Sequence, residues 1–475
     1  MVSKTSKSPA EIGFGTDDAR LLAARGLNAV RVGVIWANVE PTPGRYDDRY
    51  LRSISSTIRL LARHGIYSLV DFHQDQYAES IGDGAPDWAV APGGTTTPDC
   101  GFPLNLFTLP DGSPHAAARP PLTGDGNCRS DVRIAWDGFW SNQSLAGAGV
   151  QDRYVAMVAR VFRRLAPNGS AILGYDLINE PFPGSTWPAC FSAYPKLDLS
   201  GGCPEFDAGS LSDLYVRLIA AVRKADRYAI SWFESNVLTG LGAPVLLRGL
   251  GGPDDQIGLT FHNYDPVPPA FTAPVLAGLA YQRRHGVPIL VGEFGASPDV
   301  TQIDDAQATH DQYMVSALYW AWNNNAPFKF STGPSTGTAS DDPAAQSVVR
   351  DLAAPLRGDN INIDLLDALT RVYPRAIAGT LENFSFDPVS DSFHLEYLPS
   401  SREGSARRTD IAVPAARFPD GYTVTVDGGR VVSRLRAPVL VVESTGRGRV
   451  TVDVAARPAS SSASRTRAGL PKSGV

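Results

Sequence analysis

"AILGYDLINEPF" occupies residues 171–182, an apolar stretch that ends abruptly in an amide, a carboxylate and a proline. Residues 171–178 read as a β-strand, and their near-continuous apolar character fits a parallel strand covered on both faces. A carboxylate at the end of such a strand is costly unless it is paired or put to chemical use. The fold turns on whether the chain repeats this pattern, and it does. "NAVRVGVI" (28–35), "YSLVDF" (67–72), "YAISWF" (228–233), "IGLTF" (257–261), "PILVGEF" (288–294) and "ALYWAW" (317–322) are further runs of the same kind. Amphipathic segments intervene, among them "DDRYLRSISSTIRLLARHG" (47–65), which closes on Gly65 as a helix should, "DRYVAMVARVFRRLA" (152–166) and "SDLYVRLIAAVRKA" (212–225). This alternation predicts an α/β fold, a (β/α)8 TIM barrel. An open doubly wound sheet fits less well, because no glycine-rich nucleotide turn follows any strand. The remaining strand should precede a helix at 17–26, where only "MV" stands before a polar stretch. Either the chain begins inside that strand or the barrel closes irregularly.

After "RVYPRAIAGT" (371–380) the period changes to two: "FSFDP", "FHLEYLP", "YTVTVDGG", "VLVVEST" and "RVTVDVAA" alternate apolar and polar residues between Pro, Asp-Gly and Gly turns. That predicts a C-terminal antiparallel β-sandwich. The expected domains are a catalytic barrel over 1–375, a sandwich over 378–456 and a disordered Ser-rich tail over 457–475. Two long interruptions, 76–150 and 183–209, follow strand ends, the side of a barrel on which active sites are built. They hold the four cysteines, and an even number placed in loops predicts two local bridges, Cys100–Cys128 and Cys190–Cys203, each stabilising by about 3 kcal/mol. Four free thiols is the plainer alternative, but free cysteines favour cores over loops. Disulfides imply an oxidising, extracellular compartment. "MVSKTSKSPA" is polar from the start, so a secreted chain is expected with its signal peptide already removed.

The 475 residues are 43% hydrophobic and 19% charged, with a net charge of −6. No basic cluster is dense enough to track phosphates, which argues against nucleic acid, and no apolar run approaches the roughly 20 residues that span a bilayer. No obligate protein partner is predicted.

The chemistry begins at Glu180, which directly follows its strand with Asn179 beside it. "LVGEFG" (290–295) repeats the device with Glu293. Two glutamates at rim positions of different strands can face each other across a barrel mouth. Retaining glycoside cleavage needs such a pair about 5 Å apart, one as nucleophile and one as acid/base. Arg31, His73, Asp75, His262, Tyr264 and Trp320 or Trp322 lie at or near the ends of other strands. Each alone has a plainer reading: a structural histidine, a core tryptophan, an arginine that neutralises a buried carboxylate. Their convergence on one rim with two glutamates makes a purely structural account poor. Glu234, in "WFESNVL", is a third rim carboxylate without a preceding Asn. A metal-dependent hydrolase using His73, Asp75 and His262 lacks a His-rich cluster at ligand spacing, so neither metal nor cofactor is expected.

Taken together, "NEP", "HNY", "GEFG" and the final tryptophan resemble the clan of retaining β-glycosidases, and within it glycoside hydrolase family five. "VRVGVIWANVEPTPGRYDDRYL", "DFHQDQY", "YDLINEPFPGS" and "YPRAIAGT" resemble the endoglycoceramidases of that family. The resemblance implies Glu180 as acid/base, Glu293 as nucleophile and Asn179 as partner of the sugar 2-hydroxyl. It implies Tyr264 and Arg31 around Glu293, and His262 beside Glu180. His73 and Asp75 would bind hydroxyls of the sugar nearest the lipid, Trp320 would be the stacking floor (Trp322 the alternative), and Lys4 a sugar contact. It also implies cleavage between oligosaccharide and ceramide, a glycosphingolipid partner, and peripheral contact with a membrane or micelle. The neighbourhoods of Phe102, Leu104, Leu106 and Phe107 and of Trp187 and Phe191 are candidates for an apolar lipid path. Another family-five β-glycosidase, such as a glucanase or steryl glucosidase, is the competing expectation.

Overall fold

The computed structural model describes residues 2, 7–95, 129–190, 199–252, 255–265, 270–324, 346–401, 407–434 and 436–457. It divides into two compact units, Met1–Thr370 and Arg371–Val475. The expected bridge Cys100–Cys128, the candidates Lys4, Phe102, Leu104, Leu106, Phe107 and Phe191, and nearly all of the Ser-rich tail lie outside the described residues.

In the first unit seven parallel strands follow chain order around a barrel: β1 (Ala29–Ile35), β2 (Tyr67–His73), β3 (Ile172–Asp176), β4 (Ser231–Glu234), β5 (Ile257–Asn263), β6 (Ile289–Gly295) and β7 (Ala317–Trp320). Val2 settles the missing strand. It bridges Val32 of β1 on one side and Asn323, just past β7, on the other, both in parallel sense, so one residue closes the circle. The surrounding helices include α1 (Thr16–Ala24), α2 (Asp48–Arg63), α3 (Ser130–Trp140), α4 (Val150–Leu165), α5 (Ser212–Ala225), α6 (Thr272–His285) and α7 (Val300–Gln312). In α2 the apolar Leu51, Ile54, Ile58 and Leu61 recur at helical spacing and are all buried. Asp47 starts that helix by accepting hydrogen bonds from the Arg49 and Tyr50 amides.

Leu69, Trp232, Leu290 and Leu318, from four different strands, meet in one buried cluster that plugs the lower lumen. A Cβ added at Gly174 or Gly258 would lie 2.5 or 2.4 Å from the Trp232 ring, so these strands carry glycine where the indole fills the lumen. Above this plug the inward residues become polar, and the site lies there.

The 76–150 interruption is not all loop. α3 forms within it and is pinned by its indoles: Trp136 Nε1 donates to the Gln76 carbonyl (2.6 Å) and Trp140 Nε1 to the Phe182 carbonyl (2.8 Å). Such a short helix, isolated between loops, carries no periodic signal long enough to stand out in sequence.

The second unit is a pair of four-stranded antiparallel sheets. With β8 (Tyr373–Ala376), β9 (Gly379–Asp387), β10 (Ser392–Pro399), β11 (Arg408–Ala412), β12 (Tyr422–Asp427), β13 (Gly429–Val431), β14 (Val439–Ser444) and β15 (Val450–Ala456), the orders are β8-β11-β14-β13 and β9-β10-β15-β12. Alternate residues such as Phe393, Leu395 and Tyr397 on β10, and Val450, Val452 and Val454 on β15, supply its separate core. Among the described residues no helix is long and apolar enough to cross a membrane.

Candidate active site

Beyond β3 the chain leaves regular geometry under tension from both neighbours. The Leu177 amide donates to the Trp232 carbonyl (2.9 Å) and the Asn179 amide to the Phe72 carbonyl (3.0 Å). The Gln74 side-chain amide donates to the Asn179 carbonyl. Glu180 then takes a φ of 39°, the left-handed region that costs a side-chain-bearing residue on the order of 1–3 kcal/mol. The turn carries Glu180 to the barrel mouth, where its Oε1 lies 2.7 Å from His262 Nδ1.

β6 delivers Glu293 by a different device. Leu290 and Glu293 both face the lumen although they stand three positions apart, an odd step that a strand of period two forbids. The pairing of β6 with β5 slips between Val291 and Glu293, a bulge that re-aims the carboxylate. Gly292 stands in that bulge, and a Cβ there would lie 2.6 Å from Thr260 Oγ1 and 3.5 Å from His262 Cδ2. A carboxylate oxygen of Glu180, one of Glu293 and a His262 nitrogen lie within 4.8 Å of one another.

Arg31, fully buried, organises the charges beneath. Its guanidinium donates to Glu293 Oε1, to Asp176 Oδ2 (2.8 Å) and to Asn179 Oδ1 (2.8 Å), and lies 3.0 Å from Asp71 and 3.6 Å from Glu234. One cation cannot neutralise that many carboxylates in a dry interior, so some must hold protons. Burial pushes Asp176 up to about 7, against the pull of Arg31 and with Asp71 adding to the rise. Burial, then the charge on Asp176, holds Glu234 well above the usual carboxylate range. Asp71 goes the other way: burial would raise it, but Arg31 and His73 bring it below its ordinary value. Burial also lowers His262 to about 4, leaving a neutral ring between Glu180 and Glu293. Tyr264 donates its hydroxyl to Glu293 Oε2 at 2.9 Å, and burial and that charge raise the phenol well above its usual range. Glu293 is thus gripped at both oxygens. A model of cellulase-type domains, "glycosyl hydrolase family 5", matches residues 14–326, and the "glycoside hydrolase family 5 C-terminal domain" matches 371–454.

The chain belongs to glycosyl hydrolase family 5.

It is therefore a glycoside hydrolase, and this family-5 chain is similar along most of its length to proteins named endoglycoceramidases. Endoglycoceramidase I of Rhodococcus hoagii is 26% identical over 92% of this chain and 80% of its own. Endo-glycoceramidase II from Rhodococcus sp., as a lactosyl-enzyme intermediate, superposes with a TM-score of 0.70 and 26% identity over 96% of this chain and 95% of the relative. The same enzyme in complex with ganglioside GM3 gives a TM-score of 0.71 at 26% identity, with the same coverage.

The other expected residues of this family-5 site fall as follows. His73 sits between two carboxylates, Nδ1 2.8 Å from Asp71 and Nε2 3.3 Å from Asp75. Burial, the largest single influence, would lower it, but Asp71, Asp75 and Asp83 together keep it well above its usual range. The Trp320 ring stacks on His73 at 5.7 Å, facing the mouth. Trp322 donates to Asp18 instead (2.9 Å), so of the two tryptophans in "YWAW" it is Trp320 that lies against a residue of the site. Trp187, one of the apolar candidates, is buried in the barrel's core. Cys190 and Cys203 are bridged, closing the loop after "NEP". His73, Asp75 and Asp83 also lie close enough to share a cation, as do Glu180, His262 and Glu293. In the second trio a cation would sit beside the Arg31 guanidinium.

Sequence reasoning passed over Asp71, Asp176 and Gln74. The signal was available: an aspartate inside "SLVDF" or "GYDLI" interrupts a strand buried on both faces, which demands a buried cation. Arg31 in "VRVGV" is that cation.

Proposed function

We propose that this protein is a retaining endo-glycosidase that hydrolyses the β-linkage between an oligosaccharide and ceramide in glycosphingolipids. The observation that carries the stereochemistry is the approach of Glu180 and Glu293 oxygens within 4.8 Å. Retaining enzymes hold their carboxyl groups about 5 Å apart, whereas inverting enzymes leave about 6.5–9.5 Å for a water. Similarity over nearly the whole chain to proteins named endoglycoceramidases supports the substrate class.

Glu293, oriented by Arg31 and Tyr264, attacks the anomeric carbon while Glu180 gives its proton to the ceramide oxygen. The C–O bond to ceramide breaks and an ester to Glu293 forms. Glu180, now ionised, takes a proton from water, which displaces Glu293 and frees the glycan. Asn179 spends its carbonyl on Arg31 and one amide hydrogen on the Gln74 carbonyl (2.7 Å). Its second amide hydrogen remains for the sugar 2-hydroxyl, a contact that tightens as positive charge grows at the anomeric carbon. Trp320 floors the sugar and Asp75 takes its hydroxyls. The Cys190–Cys203 bridge supports an extracellular setting, and the substrate brings the enzyme to a membrane or micelle surface.

A digestion panel of defined glycosphingolipids and cellulose, read by the mass of the released glycan, tests the substrate. Intact oligosaccharide from the lipids is expected, and product from cellulose alone would replace this reading with a glucanase. Glu180→Gln and Glu293→Gln should each lower turnover by about three or more orders of magnitude while still binding glycolipid.

A further inference from the structure

Glu234 belongs to none of these roles. It ends β4 on the inner face, it is 1% exposed, and its carboxylate lies below the mouth where a sugar does not reach it. The charged and titratable groups that face it are Arg31 from β1, Asp176 from β3, His262 from β5, Glu293 from β6, Glu180, and the phenols of Tyr154 on α4 and Tyr215 on α5. Tyr215 of α5 binds only its backbone, donating to the carbonyl (2.6 Å) and accepting from the amide (3.0 Å). The side chain's closest approach to a neutral group is to His262, whose Nε2 lies 3.2 Å from Glu234 Oε1. The buried His262 Nε2 and Glu234 Oε2 make no hydrogen bond among the described residues, so the 3.2 Å approach of Nε2 to Oε1 is a contact within proton-transfer distance and not a formed hydrogen bond. On its far side the same imidazole holds Glu180 at 2.7 Å through Nδ1. Two carboxyl groups are thus joined through one ring, one at the sugar and one out of its reach.

We propose that Glu234 is the proton store of Glu180, reached through the His262 ring. The inference rests on Glu180 being the acid/base. Two arrangements share the same charge. In the first, Glu234 carries the proton and donates it to His262 Nε2, while Nδ1–H points at an ionised Glu180. In the second, the Glu234 proton has moved to Nε2 and the Nδ1 proton to Glu180 Oε1; nothing enters or leaves. Glu180 then protonates the departing oxygen as Glu293 becomes a neutral ester. Glu180 and Glu234 are both ionised at that point, and the total charge of the site is unchanged. When water restores Glu293, its proton returns to Glu180 and the relay relaxes. Burial and the charge on Asp176 favour the protonated form of Glu234, and burial favours the neutral form of His262, so the ring transmits without trapping. Glu234 is a positioning residue in this scheme, acting only through His262.

The test compares kcat/KM across pH for a glycosphingolipid, whose alkoxide needs a proton, and for dinitrophenyl β-lactoside, whose leaving group does not. Glu234→Gln can hold either tautomer of the ring but stores no proton to pass through it. Glycolipid cleavage should fall about tenfold or more, with the alkaline limb moved to lower pH, while the lactoside changes by less than about threefold. Equal losses on both substrates, or an unmoved limb, would overturn the relay. Glu180→Gln in the same panel separates the premise. If it fails to spare the lactoside, Glu180 is not the acid; if it spares it and Glu234→Gln does not, only the relay falls. Should Glu234→Gln not fold, a proton inventory on the unmodified enzyme decides. A bowed dependence of glycolipid kcat/KM on deuterium fraction is expected, and a straight line refutes two protons in motion.

Discussion

Gly292→Ala isolates the device that aims the nucleophile. The new Cβ would stand 2.6 Å from Thr260 Oγ1, about 0.9 Å inside an ordinary contact of roughly 3.5 Å. It would also touch His262 Cδ2 and Nε2 at 3.5 Å. Thr260 is fully buried on β5 and cannot swing into solvent, so the strain passes into the β6 bulge or into His262. Overpacking of this kind costs about 1–3 kcal/mol in stability. The larger effect is on rate, because a displacement approaching 1 Å of a reacting group costs on the order of 100-fold. Dinitrophenyl β-lactoside kcat/KM should therefore fall about 10- to 100-fold, with a lower Tm. Thr260→Ala removes the atom in the way, and the double variant should recover most of both losses, giving a coupling of about 1–2 kcal/mol in the cycle. A fully active Gly292→Ala enzyme, or a double variant no better than the single one, would refute the argument that this glycine exists to make room for the bulge.

Other outcomes follow from single contacts. Trp320→Ala should raise KM and lower kcat/KM about 10- to 100-fold as well as lower Tm, whereas Trp322→Phe should lower Tm and leave KM alone; a KM effect from Trp322 only would exchange their roles. Arg31→Met leaves Asp176 and Glu293 without their shared cation and Asp71 with His73 alone, and should cost about 3–5 kcal/mol, less at low pH where the carboxylates take up protons; thermal unfolding across pH reads it. Asp207 accepts from Asn236 (2.7 Å) and the Leu246 amide (3.0 Å), and burial raises it to about 6 from 3.8. Because the folded value is the higher one, its contribution is complete below about pH 4 and lost as pH rises through about 6, some 3 kcal/mol in all. The pH dependence of unfolding should flatten by that amount in Asp207→Asn. Opening Cys190–Cys203, which closes a separation of 13 residues, removes about 3 kcal/mol of loop constraint and should expose 183–209 to limited proteolysis. Unchanged cleavage would show that the bridge does not set the segment's resistance to proteolysis.

The barrel, the sandwich and the two glutamates were legible in the chain because each is written locally. A strand buried on both faces must be apolar throughout, so a carboxylate at its end stands out without any knowledge of its neighbours, and the switch from period 3.6 to period 2 after residue 371 marks the sandwich in the same way. What no local pattern holds is which side chains meet. Val2 is one residue with no strand signal, and only its position between Val32 and Asn323 makes it the closing stave of the barrel. The β6 bulge that turns Glu293 inward is a slip of pairing between two strands, not a property of either. Asp71, Asp176, Glu234 and Glu293 come from four strands far apart in the chain, and closure of the barrel sets them around one guanidinium. Their protonation is a property of that enclosure, since burial and mutual charge fix it and neither exists until the barrel has formed.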